Sequence, residues 1–136
     1  MSSPEKWKIV LIDDEEDIRE VLALTLADAG YQVFTAPDGE AGLQACEAHA
    51  PEIVVTDVRM PRMDGLRVLE ILKKKRPEIE VIVATAFGEM DLAIRALQLD
   101  ASDFITKPIG DKALHLALKR ARERYSSRKQ LADYTL

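Results

Sequence analysis

Five short apolar runs alternate with longer segments of helical periodicity, and this alternation constrains the fold of the chain more than any other feature. Parallel strands are buried on both faces, and the unbroken Ile/Val character of the third and fourth runs is typical of them. Strands that alternate with helices therefore predict a parallel sheet covered by helices on both faces. The predicted strands span residues 8–13, 31–36, 52–57, 80–86 and 103–107.

The segments between these runs have apolar residues three and four positions apart, which is the period of an amphipathic helix. Turn residues support the boundaries: Gly30 follows the first helical segment, Pro51 precedes the third strand and Pro77 closes the third helical segment. We expect each apolar stripe to pack against the sheet. The predicted stripes are Ile18, Val21, Leu22 and Leu26; Leu66, Leu69 and Leu72; Ala93, Ile94 and Leu97; and Leu114, Leu118, Ala121 and Tyr125.

Composition narrows the class of protein. With 136 residues, of which 47% are hydrophobic and 32% are charged, the chain has the length and composition of one globular domain. A net charge of −5 argues against nucleic-acid binding. No apolar run is long enough to span a membrane, the first residues do not resemble a secretory signal, and the single cysteine, Cys46, excludes an internal disulfide. These features favour a cytoplasmic protein.

The last helical segment, from Asp111 to about Lys129, is long and rich in basic residues. We interpret it as a solvated helix whose basic end suits the helix dipole. No stop signal follows it, so we expect the chain to be part of a longer protein. The expected division is one domain over residues 1–125 and, over residues 126–136, an extension of the last helix that leads into another module.

Functional side chains stand at the carboxyl ends of four predicted strands, where ligands bind in open parallel sheets. Each residue alone has an ordinary explanation, since an aspartate there often caps a helix and a lysine is usually solvated. Together they place carboxylates, a hydroxyl and an ammonium group at one edge of the sheet. The set comprises Asp13 and Asp14, Asp57, Thr85 and Ala86, and Lys107 and Pro108.

The members of this set suit phosphoryl chemistry at a metal ion. Neighbouring carboxylates stay ionised together only when a cation neutralises them, and a hard divalent ion, Mg²⁺ foremost, takes oxygen ligands. An aspartate can attack phosphorus as a nucleophile, and the charge on the phosphoryl oxygens needs fixed positive partners. Lys107 offers an ammonium group and Thr85 a hydroxyl donor, while the small Ala86 leaves room for a phosphoryl group.

The ordered set resembles the signature of response-regulator receiver domains of two-component signalling. The matching segments are Asp13–Asp14, TDVRMPRMDG at residues 56–65, Thr85–Ala86 and Lys107–Pro108, within a match over about residues 6–125. The resemblance implies a flavodoxin-like, doubly wound (βα)5 sandwich whose five-stranded parallel sheet has the order 2-1-3-4-5. It implies a signalling domain and not an enzyme, because such a domain catalyses only its own phosphoryl uptake and autodephosphorylation.

The resemblance also implies roles for individual residues. Asp57 would be the phosphoacceptor and would form an aspartyl phosphate. The phosphoryl group would come from the phosphohistidine of a histidine kinase or of a phosphotransfer protein. Asp13, Asp14 and Asp57 would hold Mg²⁺, or Mn²⁺ in its place, together with the backbone carbonyl group of Arg59.

Further residues around this centre would take part in the conformational switch. Lys107 would contact the phosphoryl group, and its peptide bond with Pro108 would be cis. Thr85 would move toward the phosphoryl group, and Phe104, which has no hydroxyl, would rotate into the space that Thr85 vacates. The positions expected at the rim of the site are Arg59, Ala86 and Phe87.

Partners follow from the same resemblance. An output domain or an effector outside this chain would receive the signal. The face formed by the fourth helix, the fifth strand and the fifth helix would be the signalling surface, and a homodimer would form through it. Direct contact with nucleic acid or with a membrane is not expected.

Several neighbouring residues have simpler interpretations. Arg59 has an alternative interpretation in which it forms an ion pair with Glu89 or with Asp64. Gly65 is expected to permit unusual backbone dihedral angles where the third helix begins. The basic residues 73–76 are expected to be solvated, and the acidic residues 15–17 are expected to open the first helix beside its exposed amides.

Three other functions compete with this interpretation. A flavodoxin-like binder of flavin or nucleotide would need a first loop rich in Ser, Thr and Gly, and carboxylates in that loop would repel a phosphate. A phosphohydrolase with an aspartate nucleophile would carry it after the first strand in an Asp-x-Asp pattern, whereas Asp13 and Asp14 are adjacent. An interaction module that has lost phosphorylation would not require the complete set, and a phosphorylation assay separates it.

Overall fold

The computed structural model describes the backbone of residues 6–134 and the side chains of residues 6–131. Strands and helices alternate throughout, as the sequence predicts, and the last helix runs beyond Lys129 to Tyr134. In chain order they are β1 (Lys8–Ile12), α1 (Glu16–Asp28), β2 (Gln32–Ala36), α2 (Gly39–His49), β3 (Ile53–Asp57), α3 (Gly65–Lys75), β4 (Glu80–Thr85), α4 (Met90–Gln98), β5 (Asp103–Thr106) and α5 (Asp111–Tyr134).

The five strands form one parallel sheet in the order β2-β1-β3-β4-β5. Val54 of β3 lies opposite Val10 of β1 on one side and Val81 of β4 on the other. Every residue of β3 and β4 is buried, which explains their unbroken apolar sequences. The flavodoxin-like, doubly wound architecture is therefore confirmed, and all five strands end at the same edge of the sheet.

Alternate residues of the strands enter two hydrophobic cores on opposite faces of the sheet. On one face, Val10, Val54 and Val83 pack with buried residues of α2, α3 and α4. On the other face, Leu11 and Val55 pack with buried residues of α1 and α5. The two layers of helices thus cover both faces of the sheet, and the edge at which the strands end remains available for a site.

The predicted apolar stripes of α1 and α4 are only partly correct. Val21 is 63% exposed, and Ile94 and Leu97 are 50% and 43% exposed. The helix α4 is buried through Ala93, which the predicted stripe includes, and through Ala96, which it does not. These small residues let the helix lie close to the sheet, so that its larger apolar side chains extend past the contact and face outward.

Basic residues that the sequence suggested were solvated are instead bound to the body of the domain. The Lys73 side chain is 12% exposed, and its Nζ atom lies 3.2 Å from Asp100 Oδ2. On α5, Arg124 and Arg128 lie 3.3 Å and 3.5 Å from the carboxylate oxygens of Glu80, a fully buried residue. A buried carboxylate needs a positive partner, and these arginines supply it. The basic half of α5 is therefore docked on the start of β4.

None of the helices within residues 6–134 combines the length and the apolar character that crossing a bilayer requires.

Candidate functional site

Three carboxylates meet at the carboxyl edge of the sheet. Asp13 directly follows β1 and Asp57 ends β3, so the pairing of these two strands brings the two residues together. Asp14 joins them, and one carboxylate oxygen from each residue lies within 4.8 Å of the others. Asp13 and Asp57 are 1% and 3% exposed, whereas Asp14 is exposed. Two members of the cluster are thus removed from water, and the third is open to it.

Lys107 is the positive partner of the buried Asp57. The peptide bond between Lys107 and Pro108 is cis, and the Lys107 backbone N–H donates to the Thr85 carbonyl oxygen over 2.8 Å. The Lys107 Nζ atom lies 2.8 Å from Asp57 Oδ1 and 3.9 Å from Glu15 Oε1. The shorter distance is that of a charge-assisted hydrogen bond. One oxygen of Asp57 is therefore held by the lysine.

The other oxygen of Asp57, Oδ2, is buried and has no hydrogen-bond partner among the described residues. Burial raises the pKa of Asp57, the hydrogen bond from Lys107 lowers it and the Asp13 carboxylate raises it again, with a result of about 7. Burial lowers the pKa of Lys107, but the hydrogen bond with Asp57 and the charges of the nearby carboxylates together raise that pKa above its usual value. One ammonium group thus stands against three carboxylates, and the site has an excess of negative charge.

This arrangement can hold a metal ion. A buried oxygen without a partner costs free energy, and clustered carboxylates repel one another unless a cation lies between them. The cluster offers three carboxylate oxygens within 4.8 Å of one another, and hard divalent cations prefer oxygen ligands. The donor set and the unpartnered Oδ2 of Asp57 therefore fit a divalent cation at this edge of the sheet.

The loop after β3 packs tightly against the backbone of Asp57. The Gly65 N–H donates to the Val58 carbonyl oxygen over 2.7 Å. A Cβ atom at residue 65 would lie only 2.1 Å from the Asp57 carbonyl oxygen. The φ of Gly65 is not positive, so the expected need for unusual dihedral angles is wrong. Glycine is required because the start of α3 approaches the Asp57 backbone too closely for any side chain.

Thr85 and the residues after it lie beside the carboxylate cluster. Thr85 ends β4, next to the strand that ends in Asp57, and is 3% exposed. The Ala86 N–H donates to Glu89 Oε1 over 2.9 Å. The next side chain, Phe87, is 94% exposed. The segment that follows β4 thus turns away from the sheet, and Glu89 holds its first amide.

Arg59 pairs with Glu89 and not with Asp64. The Arg59 Nε–H donates to Glu89 Oε2, whereas Asp64 caps α3 by accepting the Arg67 N–H over 2.9 Å. That Glu89 also accepts the Ala86 N–H was not predicted. Since Glu89 stands at the N-cap position of α4 and not inside the helix, its contact with the Ala86 amide does not have the spacing of a capping box.

Glu15 was expected to open the first helix, but it stands just before α1, which begins at Glu16. The Glu15 side chain makes no capping hydrogen bond, and its N–H donates to Asp13 Oδ1 over 2.9 Å. Its carboxylate instead lies at the edge of the site, within 3.9 Å of Lys107. The run of acids is therefore divided after Glu15, and only Glu16 and Asp17 lie in the first turn of the helix.

Phe104 lies in β5 opposite Val83 of β4 and is partly buried against the core on the α2–α4 face. In the same pair of strands, Thr85 lies opposite Thr106. The ring is therefore on the strand adjacent to Thr85, two positions earlier in the register.

Residues 9–119 match a family model described as the response regulator receiver domain. The chain belongs to this family. The match covers the chain from β1 into α5, and this receiver domain has the carboxylates, the hydroxyl and the lysine at the edge that the sequence predicted. It is thus the receiver domain of a two-component response regulator, which is a signalling domain.

Curated relatives of this receiver domain are regulatory proteins by name. A probable transcriptional regulator ycf27 of Cyanophora paradoxa is 40% identical over 114 residues, which are 84% of this chain and 47% of the relative. The regulatory protein AtoC of Escherichia coli K12 is 32% identical over 124 residues, which are 91% of this chain and 27% of that protein. The chain thus spans about half, or less, of the length of these relatives.

Solved structures show the same fold. A response regulator receiver domain protein from Clostridium thermocellum has a TM-score of 0.83 and 31% identity, and the alignment covers 92% of this chain and 98% of that one. NtrX from Brucella abortus, solved in complex with ADP, has a TM-score of 0.91 and 34% identity. Its alignment covers 97% of this receiver domain and 30% of NtrX.

Proposed function

We propose that this receiver domain accepts a phosphoryl group on Asp57, in a Mg²⁺-dependent reaction, from the phosphohistidine of a histidine kinase or a phosphotransfer protein. The observation that carries the proposal is the asymmetry of the Asp57 carboxylate. Lys107 holds Oδ1 at 2.8 Å, while Oδ2 is buried and has no partner among the described residues. Lys107 thus orients the carboxylate, which can offer one oxygen to the metal ion and the other to phosphorus.

In the transfer, an oxygen of Asp57 forms a bond to phosphorus as the bond between phosphorus and the donor imidazole nitrogen breaks. The imidazole leaves with the electron pair and takes a proton. The Lys107 ammonium group contacts the phosphoryl oxygens, and the Thr85 hydroxyl donates a hydrogen bond to one of them. Water later hydrolyses the aspartyl phosphate, so the domain catalyses its own phosphorylation and dephosphorylation and acts on no further substrate.

The residues proposed to hold Mg²⁺ are Asp13, Asp14, Asp57 and Arg59, the last through its backbone carbonyl group. Mn²⁺ is an alternative with the same preference for oxygen ligands. The ion, when bound, supplies positive charge that offsets the carboxylates and stabilises charge on the phosphoryl oxygens. The three carboxylates within 4.8 Å of one another support this ligand set.

The proposed switch couples Thr85 to Phe104. Thr85 moves toward the phosphoryl group, and the Phe104 ring rotates into the space left behind. The two residues lie on the paired strands β4 and β5, and Phe104 is only partly buried, so the ring has room to change rotamer. Without a hydroxyl, packing alone must drive the rotation. Structures with and without a phosphate mimic that show the same Phe104 rotamer would contradict this coupling.

The signal is proposed to pass to an output domain or an effector through the surface formed by α4, β5 and α5. The relatives are about twice as long as this chain or longer, and one of them is named a probable transcriptional regulator. We therefore propose an output module that regulates transcription as the partner. The same surface is proposed to form a homodimer, and sedimentation that shows a monomer with and without a phosphate mimic would contradict it. The exposed apolar side chains on this surface include Met90, Ile94, Leu97 and Leu116.

The test of the proposed function is phosphorylation by acetyl phosphate with Mg²⁺. The wild type should gain acid-labile phosphate, and the gain should disappear in EDTA and in Asp57→Asn. Asp91→Asn is a matched control, because Asp91 is an exposed acid in the first turn of α4. A wild type that gains no phosphate would contradict the function, and equal gain in Asp57→Asn would show that another residue is the acceptor.

A further inference from the structure

We propose that Glu89 is a positioning residue that holds the segment after β4 closed, and that phosphorylation opens it by drawing the Ala86 N–H and the Arg59 guanidinium away from Glu89. We call these three residues, Arg59, Ala86 and Glu89, the Glu89 latch. This inference rests on the proposed phosphorylation of Asp57. It goes beyond that function because it names what the phosphoryl group must displace.

One carboxylate closes the latch by two different contacts. The Glu89 N–H donates to the Ala86 carbonyl oxygen over 3.2 Å, and the Ala86 N–H donates to Glu89 Oε1 over 2.9 Å, so the turn is tied reciprocally. Gly88 has a φ of 90°, which allows the chain to reverse inside this turn. The second oxygen, Glu89 Oε2, accepts the Arg59 Nε–H. Glu89 therefore joins the segment after β3 to the segment after β4.

The two groups that donate to Glu89, the Arg59 guanidinium and the Ala86 amide, both lie beside the proposed phosphorylation site. Arg59 is two residues beyond Asp57, and Ala86 directly follows Thr85, whose hydroxyl is proposed to reach the phosphoryl group. Positive groups and amides at this rim are the ones that a phosphoryl group would recruit. In the structure, Glu89 holds both. A phosphoryl group on Asp57 therefore competes with Glu89 for the same donors.

The charge of Glu89 strengthens this competition. The Glu89 carboxylate contacts both the Ala86 amide and the Arg59 guanidinium. Like charges at close range repel one another. An ionised Glu89 thus opposes the arrival of a second anion at the rim.

The start of α4 shows that the Glu89 side chain is engaged with the rim and not with its own helix. Asp38 and Asp64 cap α2 and α3 by accepting the N–H groups of Ala41 and Arg67. Glu89 occupies the same cap position of α4, yet its side chain makes no capping hydrogen bond. Opening the latch therefore changes what holds the first turn of α4, and it connects the Asp57 site to that helix.

An ordinary surface ion pair is the simpler explanation, since Arg59 is 74% exposed and such pairs contribute little. The Ala86 N–H distinguishes the two explanations. A surface pair would leave this amide free for a phosphoryl group, whereas the latch keeps it bound to Glu89 until phosphorylation. Removal of Glu89 should therefore change the reaction at Asp57 and not merely the stability of the surface.

The experiment compares acetyl phosphate phosphorylation rates of the wild type, Glu89→Ala, Glu89→Gln and Asp91→Ala at one Mg²⁺ concentration. Loss of a charged hydrogen-bond acceptor at the rim should raise the rate of Glu89→Ala on the order of tenfold. Glu89→Gln keeps an acceptor without the charge, so its rate should fall between the two. Asp91→Ala removes the negative charge of an exposed acid in the first turn of α4, outside the latch, and its rate should stay near that of the wild type.

The Ala86 amide resonance in NMR spectra gives a second readout that a purely structural role would not move. Without phosphate, the Ala86 resonance of Glu89→Ala should already be displaced toward its position in the wild type with beryllofluoride and Mg²⁺, whereas that of Asp91→Ala should not. Equal rates in Glu89→Ala and Asp91→Ala, or a slower Glu89→Ala, would overturn the latch while the proposed function stands. A wild type that takes up no phosphate would overturn both.

Discussion

Replacing Asp57 with asparagine should make this receiver domain more stable at neutral and mildly alkaline pH when no divalent cation is present. Burial is the main cause that raises the pKa of Asp57 from 3.8 to about 7. Between these two values the folded domain keeps a proton that the unfolded chain has lost. The wild type therefore loses stability as the pH rises through this window, because the folded state binds more protons than the unfolded state. Asparagine has no proton to lose.

The magnitude follows from the size of the shift. At ~1.36 kcal/mol for each pKa unit, the shift of Asp57 from 3.8 to about 7 corresponds to at most ~4 kcal/mol of destabilisation above pH 7. Asparagine removes that penalty. The shift already includes the attraction of Lys107, whose side chain is 27% exposed, and screening by water at this partly open site reduces the net difference. We expect Asp57→Asn to be about 2–3 kcal/mol more stable than the wild type near pH 8, and only about 1 kcal/mol more stable near pH 5.

Urea unfolding in EDTA between about pH 5 and about pH 8 measures this difference. The two histidines of the chain, His49 and His115, are present in both proteins, so their titration cancels in the comparison. Asp91→Asn is the matched control, because it removes the charge of an exposed acid and should keep the pH slope of the wild type. Parallel curves for the wild type and Asp57→Asn across this range would refute the argument that Asp57 is destabilised by burial.

Three further predictions test other parts of the structure. Asp14→Ala should weaken Mg²⁺ binding in calorimetric titration far more than Glu16→Ala, because only Asp14 contributes an oxygen to the carboxylate cluster; equal affinities would contradict this. Gly65→Ala should lower the free energy of unfolding by about 3 kcal/mol or more, because its Cβ atom would lie 2.1 Å from a backbone oxygen. Gly110→Ala, whose Cβ atom would meet nothing within 4 Å, should unfold in urea much as the wild type does. Burial raises the pKa of Asp100, but hydrogen bonds from basic side chains lower it to about 2. Ionised Asp100 therefore stabilises the folded domain above the unfolded pKa near 4, and this stabilisation is lost as the pH falls toward 2. Acid titration of Asp100→Asn should lack this loss, and the same acid limb in both proteins would contradict the assignment.

The strands and their order illustrate what could be predicted from the sequence. The apolar runs that became β3 and β4 are unbroken because both of their faces are covered, and that requirement is visible in single residues. The predicted apolar stripes of the helices were a less reliable guide to which side chains are buried. Ile94 and Leu97 have the spacing of a buried face, but the small Ala93 and Ala96 make the contact with the sheet. Periodicity identifies an apolar side of a helix, whereas the depth of packing depends on the neighbouring elements.

In the site, too, the sequence predicted the residue types but not every contact between them. The sequence placed Asp13, Asp57, Thr85 and Lys107 at strand ends, and the structure brings them to one edge. The reason for Gly65 was misjudged, because a close approach between two backbones leaves no mark in the sequence except the glycine itself.

The sequence by itself determined the order of strands and helices and the kinds of side chain that end each strand, because periodicity and chemistry belong to single residues. Tertiary structure alone decided that Lys107 holds one oxygen of Asp57 and leaves the other without a partner in the described residues. It also decided that Glu89 joins Arg59 to the Ala86 amide. These contacts link loops that follow different strands, so they depend on distances in space that no local pattern encodes.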